Sequence, residues 1–259
     1  MDRSGVGRRT LGLGGSLLAL FFVTTFSGCN EDPWHSRECR IADDQKAAFM
    51  ARVGDFPIAT YIDSTFSARE RAGVLAAIAE WNAKGQQLID SDFFTVAGGS
   101  DFEAHRPDLA NCGENLGLGS SALIIQNETS AVAWDSAANR KAGSSSAVGV
   151  TLRCIVGNQV QRQVTVLNNS GSLRIDPTQL SSVILHELGH GLGLDHSCNT
   201  GASSADYRAC QGIPLGHAYH IAVMFPTLQM KSSGTAWIET KDHVQSNDID
   251  RLVCLYGPK

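Results

Sequence analysis

The stretch His186-Glu187-Leu188-Gly189-His190-Gly191-Leu192-Gly193-Leu194-Asp195-His196 decides how this chain is read. On a helix, His186 and His190 stand four residues apart and project from one face, so both imidazoles can reach one metal ion. Glu187 falls beside that ion without being needed as a ligand. Gly191 and Gly193 then break the helix, because glycine takes the left-handed conformation at little cost, and such a turn brings His196 back to the same ion. Three protein ligands leave one zinc position open, the arrangement of a catalytic site rather than a closed structural one. The full spacing HExxHxxGxxH should arise by accident in only about one chain in 10⁴ to 10⁵. The plain alternative, satisfied surface or core histidines, does not require the glycine turn that comes after them.

That residue set carries a definite chemistry. Zinc lowers the pKa of a bound water to roughly 7 and polarises a carbonyl as a Lewis acid. Glu187 is placed to take the proton as water attacks and to deliver it to the leaving amine.

Outward from the motif, Asp176-Pro177-Thr178-Gln179 opens its helix. Asp176 can cap, Pro177 suits the first helical position and Gln179 stands where a capping-box partner belongs. Upstream, Ile58-Ala59-Thr60-Tyr61-Ile62 reads as a strand. Ser67 and Glu70 form a capping box for a helix that places Val74, Ile78 and Trp81 on one face and is expected to end at Gly85. Further strands are expected over 93–96, 122–126, 148–156 and 160–167, with Gly157-Asn158 as a tight hairpin turn. A last helix after Ser246 puts Ile249, Leu252, Val253 and Tyr256 on one stripe, stopped by Gly257-Pro258. This order fits one domain of α+β type.

The chain has 259 residues with 42% apolar and 18% charged residues, an ordinary globular balance with enough length for one well-buried core. The net charge of −5 gives no basic footprint for nucleic acid or an anionic membrane surface. At the N-terminus, Arg3, Arg8 and Arg9 precede an apolar stretch over 11–26 and then Ser27-Gly28-Cys29, the layout of a secretory signal peptide over 1–28. As a transmembrane anchor the stretch falls short of the ~20 apolar residues needed to span a bilayer. Residues 29–55 are polar and read as a linker or short pro-region, leaving 56–259 as the catalytic domain.

Phe26-Ser27-Gly28-Cys29 also resembles the bacterial lipobox, which implies lipid attachment at Cys29, and Arg8-Arg9 resembles a twin-arginine export signal. Setting Cys29 aside leaves six of the seven cysteines, Cys39, Cys112, Cys154, Cys198, Cys210 and Cys254, for up to three disulfides among fifteen possible sets. Cys198–Cys210 is the favoured pair because it closes a short loop. Cys112–Cys154 with Cys39–Cys254 is one completion, and buried free thiols are the other reading.

The motif and the chain downstream of it resemble the metzincins, which share HExxHxxGxxH and a later Met-turn. Ala222-Val223-Met224-Phe225-Pro226 looks like that turn, with Met224 as its methionine. Gly193-Leu194-Asp195-His196-Ser197, together with Asp248-Ile249-Asp250 and Leu255-Tyr256-Gly257, resembles the matrixin (matrix metalloproteinase-like) branch. Pro226 stands where astacins and serralysins carry a tyrosine. The resemblance covers roughly 56–257, strongest from Gln179 onward. It implies a twisted mixed β-sheet, an active-site helix, and a smaller lower subdomain (197–259, below an upper one over 56–196) carrying the C-terminal helix. It also implies an extended protein or peptide substrate along an edge strand.

The expected cofactor is one Zn²⁺. The resemblance also allows calcium, though no acidic loop of the required spacing stands out, and His105 and Asp108 read as surface residues rather than ligands of a second zinc. His217 and His220, between His196 and Met224, read as solvated loop histidines. Asp195 reads as a local hydrogen-bonding residue. The expected protein is therefore an exported, monomeric zinc endopeptidase, lipid-anchored at a bacterial cell envelope or else secreted, with no nucleic-acid partner and no membrane contact beyond that anchor. The rival readings are a non-catalytic surface zinc-binding protein or adhesin on the same fold, and a hydrolase of small amides.

Overall fold

The computed structural model describes residues 39–49, 51–97, 121–135, 147–170, 177–227 and 239–257. The signal region, Cys29, His105, Asp108, Cys112, the capping Asp176 and the loops expected near 98–119 and 137–146 lie outside them.

The strands form along the β-branched runs. β1 (Arg52–Val53), β2 (Ile58–Ile62), β3 (Phe94–Val96), β4 (Ala122–Glu128), β5 (Gly149–Val156) and β6 (Gln159–Asn168) make one six-stranded mixed sheet. β2 alternates buried and half-buried positions, as a strand with one face on the core does. β4 is buried at all seven positions, as expected for a central strand covered on both faces. β4 lies parallel to both β2 and β6, β3 is parallel to β2, and β1 adds a short parallel pairing to β6. β5 alone is antiparallel, paired to β6 from Gly149 opposite Leu167 to Val156 opposite Gln159. The two are joined at Gly157, whose φ of 64° meets the demand of a tight hairpin for a left-handed residue.

Three helices build the site: α1 (Ala68–Ile89), α2 (Pro177–Gly191) and a C-terminal helix (Ser246–Tyr256). α1 starts at the expected capping box: the Glu70 N–H donates to Ser67 Oγ at 3.3 Å and the Ser67 N–H to Glu70 Oε2 at 2.8 Å. It does not end at Gly85. It runs on to Ile89, with Asp90 at φ 54° as the left-handed cap. Gly85 marks a close approach instead: a Cβ there would lie 2.5 Å from the Ser91 carbonyl oxygen, where the chain returns beneath the helix into β3.

Val74, Ala77, Ile78 and Trp81 of α1 meet Leu180, Ile184, Leu185 and Leu188 of α2 in one core that also takes in Val223, Met224, Leu252 and Leu255. Each such aliphatic side chain contributes about 1.5–3 kcal/mol on burial. The Trp81 indole N–H donates to the Leu185 carbonyl at 2.8 Å, which fixes α2 against α1.

One expectation is corrected by the packing. The apolar stripe of the C-terminal helix is not simply Ile249, Leu252, Val253 and Tyr256. Ile249 and Val253 are half-buried, whereas Asn247, Asp248 and Arg251 are buried with Leu252, Cys254 and Leu255. The described part of the expected linker or pro-region, over 39–55, packs into the fold. Ala48, Ala51 and Val53 are buried, Cys39 is disulfide-bonded to Cys254, and β1 joins the sheet. Its polar residues find partners inside the fold, so polarity alone misrepresents its environment.

The second disulfide, Cys198–Cys210, closes the expected twelve-residue separation, and Cys154 is disulfide-bonded as well. No described cysteine is a free thiol. No helix among the described residues is long and apolar enough to cross a membrane.

Candidate metal centre and active site

α2 carries His186 and His190 one turn apart, and its end is a Schellman motif. The Leu194 N–H donates to the Gly189 carbonyl at 3.1 Å and the Gly193 N–H to the His190 carbonyl at 3.0 Å. Gly193 takes φ 89°, and a Cβ there would lie 1.9 Å from the Ala51 carbonyl oxygen, so both conformation and space require glycine. Gly191 stays inside the helix; Gly193 alone makes the turn.

The reversal brings His196 to the first two histidines. One ring nitrogen from each of His186, His190 and His196 lies within 4.8 Å of the others, with ring centroids 4.8, 5.3 and 4.9 Å apart. Among the described residues no other group of this kind could hold a metal ion.

The ring tautomers are set by the neighbours. His186 Nδ1 lies 2.8 Å from the Val223 carbonyl oxygen, and His190 Nδ1 lies 2.9 Å from that of Leu194. A carbonyl only accepts, so both Nδ1 atoms carry protons and both Nε2 atoms keep free lone pairs. Burial holds the rings neutral, pushing His186 down to about 3, His196 to about 4 and His190 well below its ordinary value. Mutual repulsion with another histidine adds to this at His186 and His190, and repulsion from Arg251 adds at His196. Three neutral imidazoles, two of them with Nε2 lone pairs freed by their carbonyl contacts, suit zinc, a borderline-soft ion that favours nitrogen donors.

Glu187 points into β5. Its Oε2 accepts from the Thr151 hydroxyl at 2.7 Å, and it is buried. Burial raises its pKa to about 7, with the Thr151 hydrogen bond and the Arg153 charge opposing the rise. Arg153, two residues along β5, donates from Nη1 to the His190 carbonyl at 2.8 Å and so ties the edge strand to the end of α2.

Met224 is fully buried, and its Sδ would lie 2.2 Å from a Cβ on Gly189, so it packs directly on the backbone of α2. Its neighbour Val223 supports His186, and its own carbonyl accepts from the Ser197 N–H at 2.8 Å, next to His196. This turn hangs from Asp248, whose carboxylate accepts from the backbone N–H groups of Val223 at 2.9 Å and Met224 at 3.2 Å. Arg251 pairs with Asp248 at 3.1 Å, both fully buried, and donates onward to the carbonyls of Asp195 at 2.8 Å and His196 at 3.3 Å.

The sequence marks Asp248 through the matrixin-like stretch over 248–250 but gives no role to its partner Arg251. The one signal for that pairing was two charges three apart on the inward side of the last helix. Gln45, which donates to the Ser197 carbonyl at 3.0 Å across 152 residues, left no signal at all.

The loop histidines divide. His217 caps the helical turn Ala218–Ile221 by accepting from the Tyr219 N–H at 3.2 Å. His220 is not solvated: it is buried against Phe225, with ring centroids 4.3 Å apart. Lys241 is buried beside it, with its ammonium over the same ring and bonded to the carbonyls of His220 and Ala222. Asp195 does act locally, accepting from the His196 N–H at 2.8 Å.

Among known proteins, no family model and no curated sequence matches this chain. Among solved structures it is matched to High choriolytic enzyme 1, a hatching enzyme zinc-protease from Oryzias latipes (medaka fish). The match has 15% sequence identity and a TM-score of 0.40, over 83% of this chain and 96% of that one.

Proposed function

We propose that this chain is a zinc-dependent endopeptidase acting on extended protein or peptide substrates, with His186, His190 and His196 as metal ligands and Glu187 as general base. The observation that carries the reading is the meeting of three neutral imidazoles, two with Nε2 freed by carbonyl-bound Nδ1, beside a buried carboxylate. Zinc held there supplies a Lewis acid that polarises a peptide carbonyl and acidifies water. The chain's own groups do the rest. The Val223 and Leu194 carbonyls hold two ligand rings in one tautomer, a form of support worth roughly 10- to 100-fold in metal affinity or activity in comparable sites. Glu187, with a proton affinity near neutrality, accepts the proton of the attacking water and returns it to the departing amine. β5, at the edge of the sheet, offers backbone groups to which an extended peptide can add.

The finer assignments rest on the sequence: resemblance carries a metzincin of the matrixin-like branch, Met224 as the methionine of its Met-turn and Cys29 as lipid attachment site, and the basic head with its apolar stretch carries residues 1–28 as signal peptide. The disulfides suit an oxidising, extracytoplasmic compartment.

The test is cleavage of a diverse peptide library by the zinc-loaded protein, with and without chelator, beside Glu187→Gln. Chelator-sensitive cleavage is expected, with Glu187→Gln losing at least about 100-fold in kcat, as general-base removal does, while zinc content is unchanged. Zinc uptake without cleavage of any peptide would favour the non-catalytic binding protein. Full activity in Glu187→Gln would overturn the role given to the carboxylate.

A further inference from the structure

The edge strand touches Glu187 at two points. Thr151 Oγ1 lies 2.7 Å from Glu187 Oε2 and 3.0 Å from the Glu187 backbone carbonyl, and 2.8 Å from the hydroxyl of Thr165 on β6. A threonine hydroxyl has one proton to give. The carboxylate is the closer and the charged acceptor, so it receives that proton. Thr165, fully buried opposite Thr151 in the β5–β6 register, then donates to Thr151 Oγ1. The second contact is steric. A Cβ on Gly149 would lie 3.0 Å from Glu187 Oε1, 3.1 Å from its Cγ and 2.9 Å from Val183 Cγ1. The bare backbone of Gly149 therefore walls one side of the glutamate while Thr151 anchors the other oxygen.

We propose that Thr151 is a positioning residue for Glu187: with Thr165 behind it and Gly149 walling the glutamate, its hydroxyl holds the carboxylate by Oε2 in one orientation for proton transfer. This deepens the peptidase reading and rests on it. It assigns the edge strand a second task, since the strand offered to an extended peptide also sets the base that would act on that peptide.

Thr151→Val keeps shape and strand preference but removes the hydroxyl, and Thr151→Ser keeps the hydroxyl. The zinc-loaded Val variant is expected to lose about 10- to 100-fold in kcat, the usual range for support around a metal site, with KM and zinc content unchanged. Ser is expected to restore kcat. A readout free of activity accompanies this: urea unfolding of the metal-stripped wild type, Thr151→Val, Glu187→Ala and the double variant, with non-additive stabilities expected because the two groups bond. Wild-type kcat in Thr151→Val, or additive stabilities, overturns the positioning role. Should Thr151→Val not fold, Thr165→Val provides the same comparison, with a smaller kcat loss expected and unchanged kcat overturning the relay. A wild-type chain that binds zinc and cleaves nothing sinks the peptidase reading, while non-additive stabilities in the same set would still establish the Thr151–Glu187 contact.

Discussion

His186, His190 and His196 are the proposed ligands, and the burial that keeps their rings neutral has a consequence for stability. In the metal-free protein their folded pKa values lie below the ordinary 6.5, at about 3 for His186 and about 4 for His196. An unfolded chain therefore takes up protons first as pH falls. Above about pH 6.5 both states are neutral and the histidines contribute no pH dependence. From there down through about pH 4, and for His186 to about 3, stability is progressively lost. The urea midpoint of chelated protein is expected to fall across that window, with a shallower fall in His196→Asn. Glu187, raised to about 7, opposes this fall, so the deciding measurement is chelated Glu187→Gln, in which a midpoint flat from about pH 6.5 to about 4 would mean that the rings are solvated.

At the scale of elements, the candidate metal centre is built where α2, the Met224 turn and the C-terminal helix converge. Arg251 is the joint. Its guanidinium neutralises Asp248, which suspends the backbone of Val223 and Met224, and it also holds the carbonyls of the strip carrying His196. A fully buried ion pair of this kind is weak evidence for net stability, but removing one partner leaves the other charge buried and uncompensated. Arg251→Ala is expected to cost about 3–5 kcal/mol, read from denaturant unfolding, with faster loss of zinc to a competing chelator. A cost under about 1 kcal/mol, a typical surface-substitution effect, would show that the joint is not carried by this pair.

Over the whole molecule, the N-terminal part of the described chain proves to be a component of the site. Ala48 accepts from the Asp195 N–H at 3.1 Å, Phe49 bridges Leu194, Gln45 donates to the Ser197 carbonyl, and Cys39 is bonded to Cys254 across 215 residues. The strip bearing His196 is thus backed by residues 45–49. Upstream of this packed segment lies the proposed export region. Mass spectrometry of the mature N-terminus is expected to find Cys29 as the first residue, carrying lipid, and an unmodified chain beginning elsewhere would end that proposal.

The local content was legible in the sequence because it depends on spacing along one element. The i, i+4 histidines, the Ser67–Glu70 capping box, the turn at Gly157 and the short Cys198–Cys210 loop are all set by neighbours within about a dozen residues. The misread features are those whose meaning is set by distant chain. Gly85 resembled a helix stop, yet it is glycine because Ser91 returns against it. The packing of the polar segment over 39–55 left no local mark because its partners, Leu194, Ser197, Asn247 and Cys254, lie at least 140 residues away. Thr151 looked like one more strand residue until β5 was laid against α2. Which residues can ligate was thus written in the sequence, whereas what aims and buries them was decided by tertiary contact, since a hydrogen-bond partner or a packed wall leaves no periodic mark on the residue it serves.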